Sequence, residues 1–136
     1  MTNHEIFMMY HAMFQKYSKQ NIWIRFVNIE DNRPYACVEL RTISMPAKSF
    51  MQPTGWDILC LLHEVGHVMT NTPKMRVFER EYYATQWAAE EAKKWGFVVK
   101  DLWKNTYQKY IWDKRQDCIR RRGKNIPSKE ALVIKW

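Results

Sequence analysis

Apolar residues recur along this chain with two periods, and the period changes where one element gives way to the next. Between residues 2 and 17, Ile6, Tyr10, Met13, Phe14 and Tyr17 fall on one side of a helix, and Thr2 with Glu5 supplies the capping box that opens it. Residues 22–29 alternate in part and are rich in β-branched and aromatic side chains, which predicts a strand. Residues 30–34 read as a turn and residues 35–45 as a second strand stopped by Pro46, so that a hairpin joins the two. Residues 47–53 read as a loop on the rim of a cleft. Thr54 and Asp57 form a second capping box. The residues after it, Ile58, Leu59, Leu61, Leu62, Val65, Val68 and Met69, make a helix that is apolar on most sides and therefore buried.

That helix ends at residues 70–73. The next is expected to start at Thr72 and Pro73, a cap residue followed by proline at the first helical position. It runs to Trp95, where Gly96 is a natural stop. A third long helix over residues 101–122 packs through Leu102, Trp103, Tyr107, Tyr110, Ile111 and Ile119, and Gly123 ends it. Residues 128–136 form a short closing segment after a break at Pro127. The fold class expected is α+β: an N-terminal helix, a small antiparallel or mixed sheet, then three long helices. With no internal repeat or linker, residues 1–136 read as a single domain, within the usual size of one.

The buried helix over residues 54–70 carries the chemistry. Residues 63–67 read H-E-V-G-H, an H-E-x-x-H motif. His63 and His67 at i and i+4 share one helical face, and their imidazole nitrogens can reach one Zn²⁺ at about 2.0–2.1 Å. Glu64 is rotated off that face and can act on a water as general base, the arrangement of a metallopeptidase. Two neutral histidines and a carboxylate are costly in a buried helix unless something satisfies them, and a metal does so. Cys60 shares the same face, and reads as a buried apolar cysteine.

A catalytic zinc takes a third protein ligand and leaves its fourth position open. Glu79 and Glu81 on the following helix are the candidates. If the two helices pack antiparallel, Glu90 and Glu91 lie about 25 Å from the connecting turn, too deep to reach the histidines. Ala84, Thr85 and Ala88 lie at i+3, i+4 and i+7 from Glu81 and allow close approach, whereas the Glu79 face carries Tyr82, Tyr83 and Gln86. Glu81 is therefore the expected third ligand, with Glu79 the alternative. Tyr82 or Tyr83 is a candidate to stabilise an oxyanion or touch substrate; each can equally pack in the core.

L-L-H-E-V-G-H followed by E-Y-Y-A-T-Q-W-A resembles the gluzincin branch of zincin metallopeptidases, and most nearly the small ImmA/IrrE-type domains of phages and mobile elements. The likeness covers about residues 54–90 and departs from the usual pattern where Tyr82 and Tyr83 follow Glu81 directly. It implies a minimal zincin fold, a Zn²⁺ cofactor, a glutamate ligand on the helix after the motif helix, and a peptide-bond substrate within a regulatory protein. In zincins an edge strand beside the motif helix aligns the substrate by strand addition. Residues 40–45, with Thr42, Ile43 and Ser44 at their centre, are the candidate edge.

Composition changes this picture little. An apolar fraction of 46% suffices for a core. No signal peptide and no run of 18 apolar residues is present, which predicts a soluble, cytoplasmic chain without membrane association. Three widely spaced cysteines suit a reducing compartment. Charge is uneven: from residue 101 onward ten Lys/Arg face four Asp/Glu, a net +6 of the total +8. Arg120, Arg121 and Arg122 are the densest cluster, a candidate contact for nucleic acid or an acidic protein, or else a solvated helix end. The expected function is a zinc-dependent endopeptidase in which His63, His67 and Glu81 hold the metal and Glu64 activates the water. The rival is a non-catalytic regulatory or nucleic-acid-binding module working through its basic C-terminal helix.

Overall fold

The computed structural model describes residues 1–28 and 33–136. The chain is α+β, with five α-helices and a three-stranded mixed sheet among the described residues. Its elements run α1 (Asn3–Ser18), β1 (Trp23–Val27), β2 (Tyr35–Cys37), β3 (Thr42–Pro46), α2 (Ala47–Met51), α3 (Gly55–Thr70), α4 (Val77–Trp95) and α5 (Asp101–Arg120). A 3₁₀ turn at Glu130–Leu132 follows. The predicted strand end at Ile29 and the turn at residues 30–32 lie outside the described residues.

Both expected capping boxes form. Glu5 N donates to Thr2 Oγ1 at 3.1 Å, and Thr54 N donates to Asp57 Oδ2 at 2.8 Å. Each box satisfies backbone donors that a helix start leaves without partners. α3 is buried over most of its circumference, from Asp57 through Gly66 and at Val68. It packs on α4 more extensively than on any other element, and also meets α1, β2 and β3. The α3–α4 approach is close because Gly66 sits directly on the backbone of Ala84: a Cβ at Gly66 would collide with the Ala84 carbonyl oxygen. Ala84 and Ala88 are fully buried, as the small-residue face of α4 requires.

The sheet corrects the predicted hairpin. Its order is β1-β3-β2, with β1 parallel and β2 antiparallel to β3. The tight connection falls inside the stretch read as one strand: Arg41 N donates to Val38 O at 3.2 Å, and Arg41 adopts a φ of 51°. No Gly, Pro or Asn marks this turn, and a left-handed arginine is uncommon. Its side chain holds the reversal in place by donating to the carbonyls of Asn21 and Gln20, each at 2.9 Å. Thr42, Ile43 and Ser44 therefore lie in the central strand, not at an edge. The physical reason is burial: residues 43–46 are all buried, and such a strand needs a neighbour on each side. The edges are β1, whose Trp23 is exposed, and β2.

Two helix boundaries and one loop also differ from expectation. α4 starts at Val77, not Thr72, because Glu79 accepts from Arg76 N at 3.0 Å and from Arg76 Nε at 2.6 Å. No acidic residue stands three positions after Thr72 to do the same. α5 ends at Arg120. Arg122, with φ 60°, takes the left-handed position, and Gly123 is needed for its close contact with Cys118. Residues 47–51 form the short helix α2, whose Ser49 hydroxyl lies 2.8 Å from Tyr10 Oη in the core. Gly96 ends α4 at φ 70°, a conformation glycine adopts without steric cost.

The main core joins α1, the sheet, α3 and α4 through Tyr10, Met13, Ile43, Met45, Leu61, Leu62 and Ala88. A smaller cluster of Phe78, Ala89, Ile111, Leu132 and Ile134 seats the C-terminal segment between α4 and α5. That segment is tied by two glutamines. Gln86 exchanges hydrogen bonds with the backbone of Lys135, and Gln108 bonds Leu132 O and Ile134 N, all at 2.8–3.0 Å. Leu102, expected to pack, is largely exposed. No helix among the described residues is long and apolar enough to cross a membrane.

Candidate metal centre

His63 and His67 stand one turn apart on α3, and both turn Nε2 toward the Glu81 carboxylate on α4. His63 Nε2 lies 3.0 Å from Glu81 Oε2 and 3.1 Å from His67 Nε2. His67 Nε2 lies 3.4 Å from the same Oε2. The three residues form a group able to hold a metal ion. The contact of Gly66 with Ala84 brings α4 close enough for a side chain as short as glutamate to reach both imidazoles.

A second set of partners fixes the rings. His67 Nδ1 lies 2.6 Å from Asn71 Oδ1, which accepts only, so Nδ1 carries a hydrogen. The Asn71 amide is itself oriented, because its Nδ2 donates to Arg80 O at 3.2 Å and to Thr70 Oγ1 at 3.1 Å. His63 Nδ1 lies 3.1 Å from the buried Thr85 hydroxyl, so Thr85 orients this ring from α4. With each Nδ1 engaged, the Nε2 atoms face one another and the carboxylate. Three groups that accept in their unprotonated forms then meet at one point, and only a cation, either a proton or a metal ion, reconciles them.

The electrostatics follow. Burial opposes a charge on His67, but the Glu81 hydrogen bond and charge, with smaller contributions from Glu64 and Asn71, raise its pKa to about 9. Burial also opposes the Glu81 carboxylate, yet both histidines hold its pKa down at about 2. Both shifts favour a protonated His67 beside an ionised Glu81 in the metal-free protein. Burial raises the Glu64 carboxyl above its ordinary range, with His63 and His67 pulling the other way.

The group opens on a cleft of about 700 Å³, in the range of ligand-binding pockets. Glu64 lines this cleft together with the three converging residues. One side is β2 and the residues before it, Arg33, Pro34, Tyr35 and Ala36. Another is α5, through Thr106, Tyr107 and Tyr110, and Trp56 and Cys60 of α3 complete it near His63. The Cys60 thiol is pushed up by burial to about 12, so it stays protonated, and it is not part of the metal-holding group.

Several predicted site residues lie elsewhere. Glu79 is turned to Arg76 at the start of α4, away from the histidines. Tyr82 and Tyr83 do not line the cleft: Tyr82 packs on the smaller core cluster, while Tyr83 is exposed and meets it edge-on at 5.2 Å. The reason is the helical period, which turns residues 82 and 83 away from the face that carries Glu81, Ala84, Thr85 and Ala88. Thr42, Ile43 and Ser44 are held in the central strand, so the strand edge along the cleft belongs to β2, which pairs only with β3 among the described residues. Arg120, Arg121 and Arg122 are exposed at the far end of α5 and do not line the cleft. Arg120 is paired with Asp117 at 3.1 Å, and Lys104, Lys109 and Lys114 also pair with aspartates of their own helix. These pairs share three aspartates, so the segment keeps its net positive charge.

Sequence reasoning missed Asn71, read only as part of a helix end, and the contact of Thr85 with His63. Tyr107, read as a packing residue, does pack on the main core and lines the cleft as well, with Tyr110; their i, i+3 spacing marks one helical face, but nothing local says that this face meets a cleft. The chain matches no protein-family model, no curated protein and no solved structure.

Proposed function

We propose that this chain is a zinc-dependent endopeptidase of gluzincin type, acting on a protein substrate laid across the cleft. One observation carries the reading: the separations of 3.0, 3.1 and 3.4 Å among His63 Nε2, His67 Nε2 and Glu81 Oε2. Two donors on a tetrahedral zinc with bonds of about 2.0–2.1 Å stand about 3.4 Å apart. Two imidazoles and one carboxylate are a donor set that suits zinc, and three protein ligands would leave a position open to water or substrate. Asn71 and Thr85 supply the outer hydrogen bonds that orient zinc-ligating histidines.

When bound, the ion would polarise a substrate carbonyl and make a water more acidic. The chain's own residues do the rest. Glu64, buried beside the two histidines, accepts a proton from the attacking water and hands it to the leaving amine. β2 offers its outer edge to an extended peptide, so strand addition belongs to residues 35–37 and not to β3.

The third ligand separates two outcomes cleanly. Glu81→Ala is expected to weaken zinc binding by more than about 100-fold, since even an outer partner of a zinc ligand is worth about 10–100-fold. Glu79→Ala breaks a half-exposed pair with Arg76 and is expected to change affinity by less than about fivefold. Competition against a chromophoric chelator measures both, and the reverse ranking would remove Glu81 from the site.

Catalysis is tested with zinc-loaded protein and candidate proteins encoded beside it. The expected result is one or a few defined fragments by mass spectrometry, lost on chelation and restored by added zinc. Fragments that persist unchanged after complete metal removal would exclude this mechanism.

A further inference from the structure

On the α4 side the cleft wall turns cationic. Arg80 and Val77 line it next to Asn71. Arg80 is exposed, and its carbonyl accepts from the Asn71 amide that meets His67. One helical turn back stands Arg76, paired with Glu79 at 2.6 Å. Its guanidinium donates onward to Lys124 O at 2.7 Å and to Asn125 O at 3.4 Å. These two bonds bring the basic turn after α5 up to the start of α4, across 48 positions of sequence.

That turn has a defined shape. Arg122 and Asn125 take left-handed backbone, φ 60° and 54°, uncommon for residues other than glycine, and Gly123 sits against Cys118. Arg121, Arg122 and Lys124 are exposed on it. They and Arg80 make no ion pair among the described residues. Residues 71–80 and 114–125 carry nine Lys/Arg against two acidic residues, Glu79 and Asp117, both already paired. The turn does not itself line the cleft; Arg76 and Arg80 join the two. About 22 Å back along α3, the cleft is lined by the uncharged Trp56 and Cys60.

We propose that this strip, from Arg80 to the turn at residues 121–124, receives an acidic segment of the substrate protein where its chain leaves the cleft. The proposal rests on the zinc site and names the substrate class that the site would select. Exposed cations beside a cleft attract an anionic chain and raise its local concentration. Continuity decides which chain: the strip starts in the cleft wall, so the polypeptide lying across the metal group is the one that reaches it. Arg76 stands five residues before Glu81, a rise of about 7.5 Å, and the reach of its side chain adds about as much. An extended chain advances about 3.3 Å per residue, which puts the acidic residues within about five positions of the bond cut.

Peptide hydroxamates test this without a known substrate, because the hydroxamate binds zinc and carries a tail along the cleft. Placing it at either end of a tail of about five residues covers both chain directions. Fluorescence anisotropy on zinc-loaded protein would compare glutamate, glutamine and lysine tails. An exposed ion pair is worth about 1.4- to 5-fold, and several act together here. In one direction the glutamate tail is therefore expected to bind about tenfold more tightly than the glutamine tail, and the lysine tail more weakly than either. Raising salt from about 50 to about 200 mM should shrink the difference, because exposed pairs are screened. Arg80→Gln combined with Arg121→Gln and Lys124→Gln should bring the glutamate and glutamine tails within about twofold, with zinc content unchanged. Should that variant fail to hold zinc, the wild-type series decides alone. Glutamate and glutamine tails that bind alike would overturn the strip and leave the metal site standing. Tighter binding of a single-stranded oligonucleotide of equal charge, in competition with the glutamate tail, would assign the strip to nucleic acid and overturn it too. If no hydroxamate binds protein that demonstrably carries zinc, the open metal position is wrong and the proposal falls with it.

Discussion

Glu64→Gln is expected to keep zinc and fold while hydrolysis falls by at least about 10²–10⁴-fold, the usual contribution of a positioned general base. The substitution preserves the shape of a side chain buried beside His63 and His67. It removes only the ability to take a proton, since an amide has no basic oxygen at neutral pH. Burial already disfavours charge at this position, so a neutral amide costs the fold little. The measurements are zinc content, thermal unfolding and single-turnover cleavage of an identified substrate. A variant that binds zinc normally and cleaves at the wild-type rate would show that Glu64 is not the base.

His67→Ala should abolish stoichiometric zinc binding and, with it, the stabilisation that zinc gives the native chain. Only two of the three donors then remain, and the Asn71 amide loses the ring it orients. In wild type, zinc at 100 times its dissociation constant should stabilise folding by about 2.7 kcal/mol, a shift in Tm that the variant should lack. Asn71→Ala should be milder, about 10–100-fold in affinity, because it removes an orienting partner and not a ligand.

Zinc binding should also depend on pH in a definite direction. In the metal-free protein His67 holds its proton up to a pKa of about 9, well above the ordinary imidazole value of 6.5. Zinc must displace that proton, so apparent affinity rises with pH from the ordinary imidazole range toward 9 and levels off above it. The stability of the metal-free fold runs oppositely. A raised histidine pKa contributes most below 6.5, and its contribution is lost as pH climbs through about 9. Glu81, depressed from 4.5 to about 2, contributes above 4.5 and is lost on acidification through about 2. Calorimetric proton release on zinc addition at pH 7 measures the first effect, and unfolding of chelator-treated protein at several pH values measures the second. A zinc affinity that does not change between pH 6 and 9 would mean that His67 is not protonated in the metal-free state.

What the sequence determined by itself is local and periodic. Two histidines four apart must share a helical face, and Thr54 with Asp57 starts the helix that carries them. The run of apolar residues around that helix requires its burial. The facing of Glu81 was legible too, because Ala84, Thr85 and Ala88 mark the side of α4 on which a neighbour can come close. Those rules act over one or two turns, and a sequence states them directly.

The tertiary structure decided whatever depends on which surfaces meet. Arg41 turns the chain without a glycine, because its side chain finds the carbonyls of Gln20 and Asn21. That reversal divides one predicted strand into two, puts β3 in the middle of the sheet, and gives the cleft-side edge to β2. Tyr107 packs on the main core and also meets His63, because α5 is laid against α4. Thr85 meets His63 across 22 positions through helix packing, and Asn71, one turn from His67, is aimed at it by the Arg80 carbonyl of α4. Periodicity fixes the face on which a side chain lies; only the packing of distant segments fixes what that face meets.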